Sequence, residues 1–133
     1  MNHWLFAGLK KSDRAQALYK YQIRNAGEID KLLKSVSIAF DVSELDIKSK
    51  SRLREISDAR HCFIFLSRLH TSITYQGLGK YLDRNHATVI HSVKAFQQIE
   101  AVDKRCYHKR VEAEKLFTSQ IMSHERPLQE TRD

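Results

Sequence analysis

The chain has 133 residues, with 41% hydrophobic and 29% charged side chains, four glycines and one proline. That length suits one domain with a single buried core, the Gly and Pro counts exclude a collagen-like or linker-dominated chain and disfavour a turn-rich β-sandwich, and no apolar run approaches the roughly 18 residues of a membrane span. The net charge of +7 is concentrated: residues 48–94 carry nine basic and three acidic side chains, a net +6, and a basic segment of this kind predicts a polyanionic partner.

The apolar stretch Trp4-Leu5-Phe6-Ala7-Gly8-Leu9 is too short for a signal-peptide core, and Lys10-Lys11 follows it rather than preceding it. An intracellular, cytoplasmic protein is expected. Ser12-Asp13 reads as an N-cap for a helix carrying Ala15, Leu18, Tyr19, Gln22 and Ile23 on one face, with Gly27 as its C-cap. A second helix fits Ile29, Leu32, Leu33, Val36 and Phe40 at spacings of three and four. Residues 41–50 are polar and aperiodic, and the basic stretch Lys48-Ser49-Lys50-Ser51-Arg52-Leu53-Arg54 reads as a loop. A helix is predicted from about Asp58 to His70, burying Cys62, Phe63, Leu66 and Leu69. A short one follows over 73–82, and a longer one over 85–101 with Val89, Val93 and Phe96 inward. The last covers about 104–122 on Val111, Leu116, Phe117 and Ile121.

No segment sustains a period of two, so the predicted fold is all-α, with about six helices. Residues 1–27 read as an N-terminal helical extension, 28–122 as the domain, and 123–133 as a disordered polar tail. Cys62 and Cys106 lie far apart in helical segments and are read as reduced.

The segment Ile73–Ile90 fits a helix-turn-helix, in which apolar residues fill the contact between two helices and a small residue lets their backbones approach. Leu78, Leu82 and Val89 supply the apolar contacts and Gly79 the small position. A helical Gly costs about 1 kcal/mol relative to Ala, so its presence suits a close crossing. Asp83 holds the turn, where the side chain tolerates a left-handed backbone. In this geometry the start of the second helix meets base edges in the major groove. Arg84, Asn85, His86, Ala87 and Thr88 occupy it, with His91 one turn on. Arg pairs with guanine and Asn with adenine at two atoms each, and the Ala and Thr methyls suit a thymine methyl.

The pattern Arg60…Leu66…Leu69…Leu78-Gly79…Arg84-Asn85-His86-Ala87-Thr88-Val89-Ile90-His91 resembles the C-terminal DNA-binding domain of the bacterial replication initiator DnaA. That family's signature is Arg-Asp-His-Thr-Thr-Val-x-His. Arg84, His86, Thr88, Val89 and His91 match it, whereas Asn85 replaces an Asp and Ala87 a Thr. The turn is one residue shorter, with Asp83 standing for a Gly-Gly pair. The resemblance spans about residues 28–122 and implies a Trp-repressor- or DnaA-C-terminal-like helical arrangement that binds double-stranded DNA. It also implies a basic loop entering the minor groove, for which Arg52 is the best match and Arg54 the next. Arg68 corresponds to a phosphate-contacting residue. Lys48 and Lys50 complete the expected grip on phosphates.

None of Gly8, Gly27, Gly77 and Gly79 forms the G-x-x-x-x-G-K-[ST] phosphate loop, so no ATPase activity is expected. The implied role is a replication or transcription accessory factor, nucleoid-associated. No cofactor is expected. His86 and His91 are five apart, poorly placed to share a metal, and Cys106 and His108 add little. Too few aromatics, Tyr75 and Tyr81, are free for a single-strand stacking platform. Two other classes stay open. One is an adaptor docking on replication proteins, or a homodimer, through Trp4, Leu5, Phe6 and Leu9. The other is an enzyme acting on nucleic acid, which no carboxylate cluster, nucleophile with its base, or metal-ligand set supports.

Overall fold

A computed structural model describes residues 27–125 of the chain, with side chains to residue 121. The predicted helix on Ala15 to Ile23, the apolar Trp4–Leu9 stretch and the tail beyond 125 lie outside the described residues. Within them there are six helices and no strand.

The first helix, α1, covers 27–40 and buries Ile29, Leu32, Leu33, Val36 and Phe40, the stripe that spacing predicts, together with Ala39. Gly27, expected as a C-cap, is itself helical and lies where this stripe begins. The helix ends on Asp41, whose φ of 56° is left-handed. The Val42 N–H then donates to Ser37 O at 3.1 Å and the Asp41 N–H to Ile38 O at 3.3 Å, which satisfies carbonyls the ended helix leaves open.

The stretch 41–50, read as aperiodic, contains a five-residue helix, α2 (Glu44–Lys48). Ser43 caps it by accepting from the Asp46 N–H at 3.0 Å, and Ile47 is its one buried residue. One turn with one inward side chain is too short for periodicity to register. The third helix, α3 (Arg54–His70), starts four residues before the expected Asp58. Cys62, Phe63 and Leu66 are buried as predicted, but Leu69 is 42% exposed, and Ile64 completes the inward face instead.

Helix α3 is the central element, packed against α2, α4, α5 and α6. The remaining helices are α4 (Tyr75–Leu82), α5 (His86–Val102) and α6 (Lys104–Glu125). On α5, Val89 and Phe96 are fully buried and Val93 partly so. On α6 the inward residues are Cys106, Ala113 and Phe117; the predicted Val111, Leu116 and Ile121 are only half-buried. This helix runs to Glu125, past residue 123, where the tail is expected to begin.

Polar ties brace the helices against one another. His70 and Glu114 meet at 2.6 Å, and Arg110 Nε donates to Glu100 at 2.9 Å, joining α3, α5 and α6. Tyr81 Oη donates to Asp30 at 2.5 Å and joins α4 to α1. Burial and this acceptor together push the Tyr81 phenol well above its usual range. No described helix is long and apolar enough to cross a membrane.

Candidate nucleic-acid interface

The α4–α5 corner is built from its own sequence. Thr74 caps α4 by accepting from the Gly77 N–H at 2.9 Å. Leu78, Leu82 and Val89 are fully buried, closing the contact between the two helices. A Cβ on Gly79 would overlap the Arg84 carbonyl oxygen, which is backbone and cannot move aside. Asp83 adopts φ 57°, ψ 53°. The Arg84 N–H then reaches Gly79 O at 2.7 Å and the Asp83 N–H reaches Lys80 O at 3.3 Å, the paired bonds of a left-handed helix stop. A single Asp turns the chain here.

Helix α5 begins on a side-chain cap. Asn85 Oδ1 accepts from the Thr88 N–H at 2.8 Å and from the Thr88 hydroxyl at 3.0 Å. His86, Ala87, Thr88 and His91 are all exposed on the first turns. The orphan N–H groups and the positive end of the helix dipole therefore point outward at the same place.

The basic loop has no regular structure and is positioned by others. Arg60, 6% exposed, donates through Nε to Ile47 O at 2.8 Å, through Nη1 to Ser51 O at 3.0 Å, and through Nη2 to Asp46 O at 3.3 Å. Arg84 donates to Ser49 O at 2.8 Å and to Leu82 O at 3.1 Å. Lys50 Nζ donates to Asp83 O at 2.6 Å. Serines stitch the loop internally: the Ser51 N–H donates to Ser49 Oγ and the Leu53 N–H to Ser51 Oγ, both at 3.2 Å. The loop and the helix-turn-helix corner thus form one unit.

Between them lies an open cleft of about 510 Å³, bordered by Lys50, Arg52, Arg60, Arg84, Asn85 and Thr88. Burial lowers the Arg60 pKa, and the neighbouring Arg84 charge lowers it further. His61, also on the cleft, is held below its usual pKa chiefly by burial, with the Asp58 charge opposing and Arg60, His91 and Arg84 adding to the lowering. Its Nδ1 is buried without a described partner, and Nε2 meets Ser57 Oγ at 3.3 Å.

Of the residues singled out in the sequence, Lys50, Arg52, Arg84, Asn85 and Thr88 come together around this cleft. His86, Ala87 and His91 sit on the exposed start of α5. The others point elsewhere. Lys48 lies over the Tyr81 ring at 4.4 Å. Arg54 turns toward the α5–α6 corner, 3.6 Å from Asp103 and 3.8 Å from Asp58. Arg68, at the far end of α3, donates to Ile73 O and stacks 4.2 Å from the Tyr75 ring centroid. The cleft also includes Ser51, Ser57, His61 and Ser92, which were not singled out. For Ser57 and His61 the only sequence signal is their i, i+4 spacing on α3.

A cationic loop fixed beside the exposed first turn of the second helix of a helix-turn-helix defines a DNA-binding helix-turn-helix domain. Residues 29–95 match the family described as the bacterial dnaA protein helix-turn-helix, and the chain belongs to that family. It is similar to the chromosomal replication initiator protein DnaA of Oleidesulfovibrio alaskensis, 36% identical over 66 residues, half of this chain and 14% of that protein. The same protein from Bacteroides fragilis is 33% identical over 96 residues, covering 69% of this chain and 20% of the relative. That of Nostoc punctiforme is 39% identical over 80 residues, 59% and 17% respectively. The chain therefore spans about a fifth or less of the length of these relatives.

Proposed function

We propose that this chain is a sequence-specific reader of double-stranded DNA, acting as a replication or transcription accessory factor without ATPase activity of its own. The observation that carries the reading is the joining of two surfaces into one unit: the exposed first turn of α5 and the basic loop, tied together by Arg84 and Lys50. The turn lies in the major groove and reads bases with Asn85, His86, Ala87 and Thr88. Arg52 enters the adjacent minor groove, and Lys50 and Arg84 present charge to the phosphates between. Because Arg84 also bonds Ser49 O and Leu82 O, its main work is to set the distance between the two groove-directed parts. Arg68, Lys48 and Arg54 lie at the periphery and contact phosphates there.

The test is selection of bound duplexes from a random library, followed by affinities at two salt concentrations. A short enriched motif with a steep salt slope is the expected result. Arg52→Ala should reduce affinity and lower the slope by about one if it neutralises a phosphate, and should instead erase a preference for A·T-rich flanks if it reads groove width. Salt-dependent binding with no enriched motif would make the chain a nonspecific binder and sink the proposal.

A further inference from the structure

We infer that Asn85 reads its base as a hydrogen-bond donor only, favouring guanine or thymine and rejecting cytosine; this rests on the duplex-reading function proposed above. The cause is the helix cap. Asn85 Oδ1 accepts from both the Thr88 N–H, at 2.8 Å, and the Thr88 hydroxyl, at 3.0 Å. A backbone N–H can be met only by the oxygen end of the amide, so the orientation of the group is dictated by the cap. Two bonds occupy both lone pairs of that oxygen. What remains for a ligand is Nδ2 with its two N–H groups, which donate to no described residue and sit on the exposed tip of α5.

A free asparagine pairs with adenine at two atoms, donating to N7 and accepting from N6. That pairing needs the carbonyl oxygen, and here the oxygen is spent on the cap. A donor alone meets acceptors on guanine, at O6 and N7, and on thymine, at O4. Facing cytosine it meets only the N4 amino group, and two desolvated donors are left unpaired, the costly case. Adenine, with one acceptor and one donor, falls between. An aspartate in the same place would cap with one oxygen and present the other as an acceptor. Exchange of one nitrogen for one oxygen therefore reverses the sense of the reading while leaving the helix start intact. Thr88 is the positioning residue, since its N–H and hydroxyl together hold the amide.

The experiment is base-resolved selection with the full 133-residue chain, comparing wild type, Asn85→Asp and Asn85→Ser on one random duplex library. Asp and Ser both cap helices as well as Asn, so all three variants keep the fold. The wild type should disfavour cytosine at one position by about tenfold relative to guanine or thymine. Asn85→Asp should invert that position alone, favouring cytosine or adenine, even where its added negative charge weakens binding throughout. Asn85→Ser should flatten it. The inference is overturned if wild type and Asn85→Asp rank the four bases alike at every position, or if both substitutions weaken every position equally. Absence of any motif for the wild type is a different failure, that of the duplex-reading function itself.

Discussion

The basic loop and the α4–α5 corner lie side by side but are held by opposite means. The corner is a local construction: its caps, its left-handed Asp83 and its close approach at Gly79 all lie within residues 74–88. The loop's own bonds are a few local serine contacts, with no regular structure between the helices. Its geometry comes from Arg60, nine residues beyond Ser51, and from Arg84, thirty-five beyond Ser49. Two arginines that composition alone would assign to DNA are largely used to hold backbone. One surface therefore has a part shaped by bonds within its own stretch of sequence and a part placed by bonds that cross the fold.

Removing the loop's anchor should have the largest effect. Arg60→Leu takes away three bonds to backbone carbonyls and leaves those oxygens to find water. Stability should fall by about 3 kcal/mol, and DNA affinity should fall more than the loss of one charge explains. Urea unfolding with parallel binding at constant salt measures both, and a binding loss no larger than that of Arg52→Ala would show that the loop does not depend on Arg60.

Breaking the corner comes next. Gly79→Ala forces the two helix backbones apart, at a cost of about 2 kcal/mol, and should abolish base preference before it abolishes folding. Thermal unfolding and motif selection read the two effects separately. A fully stable variant would mean the crossing is looser than the Gly79–Arg84 approach indicates.

Asn85→Ala should cost about 1 kcal/mol through the lost cap, and amide exchange should quicken at Thr88 first. Unchanged protection there would show the cap to be idle.

The smallest effect concerns His61, beneath the cleft. Its folded-state pKa lies below the ordinary value near 6.5, so the unfolded chain takes up its proton first as pH falls. The neutral ring's contribution to stability is complete above that value and is lost as pH drops through it toward the folded pKa. The difference in melting temperature between pH 7.5 and 5.5 should thus be smaller in His61→Gln than in the wild type. Equal differences would place the acid sensitivity elsewhere.

Much of the molecule was legible in the sequence because its determinants are local. Helical periodicity located α1, α4, α5 and the body of α3, since each buries several residues at spacings of three and four. Leu78, Gly79, Leu82 and Val89 marked the helix-turn-helix because close packing admits few residue types there. Asp83 was readable as a left-handed stop because a short polar side chain tolerates that backbone. The concentrated charge covers the segment whose Lys50, Arg52 and Arg84 border the cleft.

Tertiary structure alone decided how individual polar groups are used. Composition treats every arginine in 48–94 as an available cation, but Arg60 is buried against three carbonyls and Arg54 is turned to Asp103. Sequence pairs Asn85 with adenine; the cap takes the oxygen that pairing needs. Helix α2 escaped notice because one turn carries no period, and Arg60, which donates to its Ile47 and Asp46 carbonyls, lies in another helix. Apolar burial follows spacing along the chain where a helix buries a regular stripe, as in α1, and less where it does not, as at Leu69 and along α6. A hydrogen bond is directional and reaches across the fold, so which donor meets which acceptor is settled only when distant segments arrive at the same place.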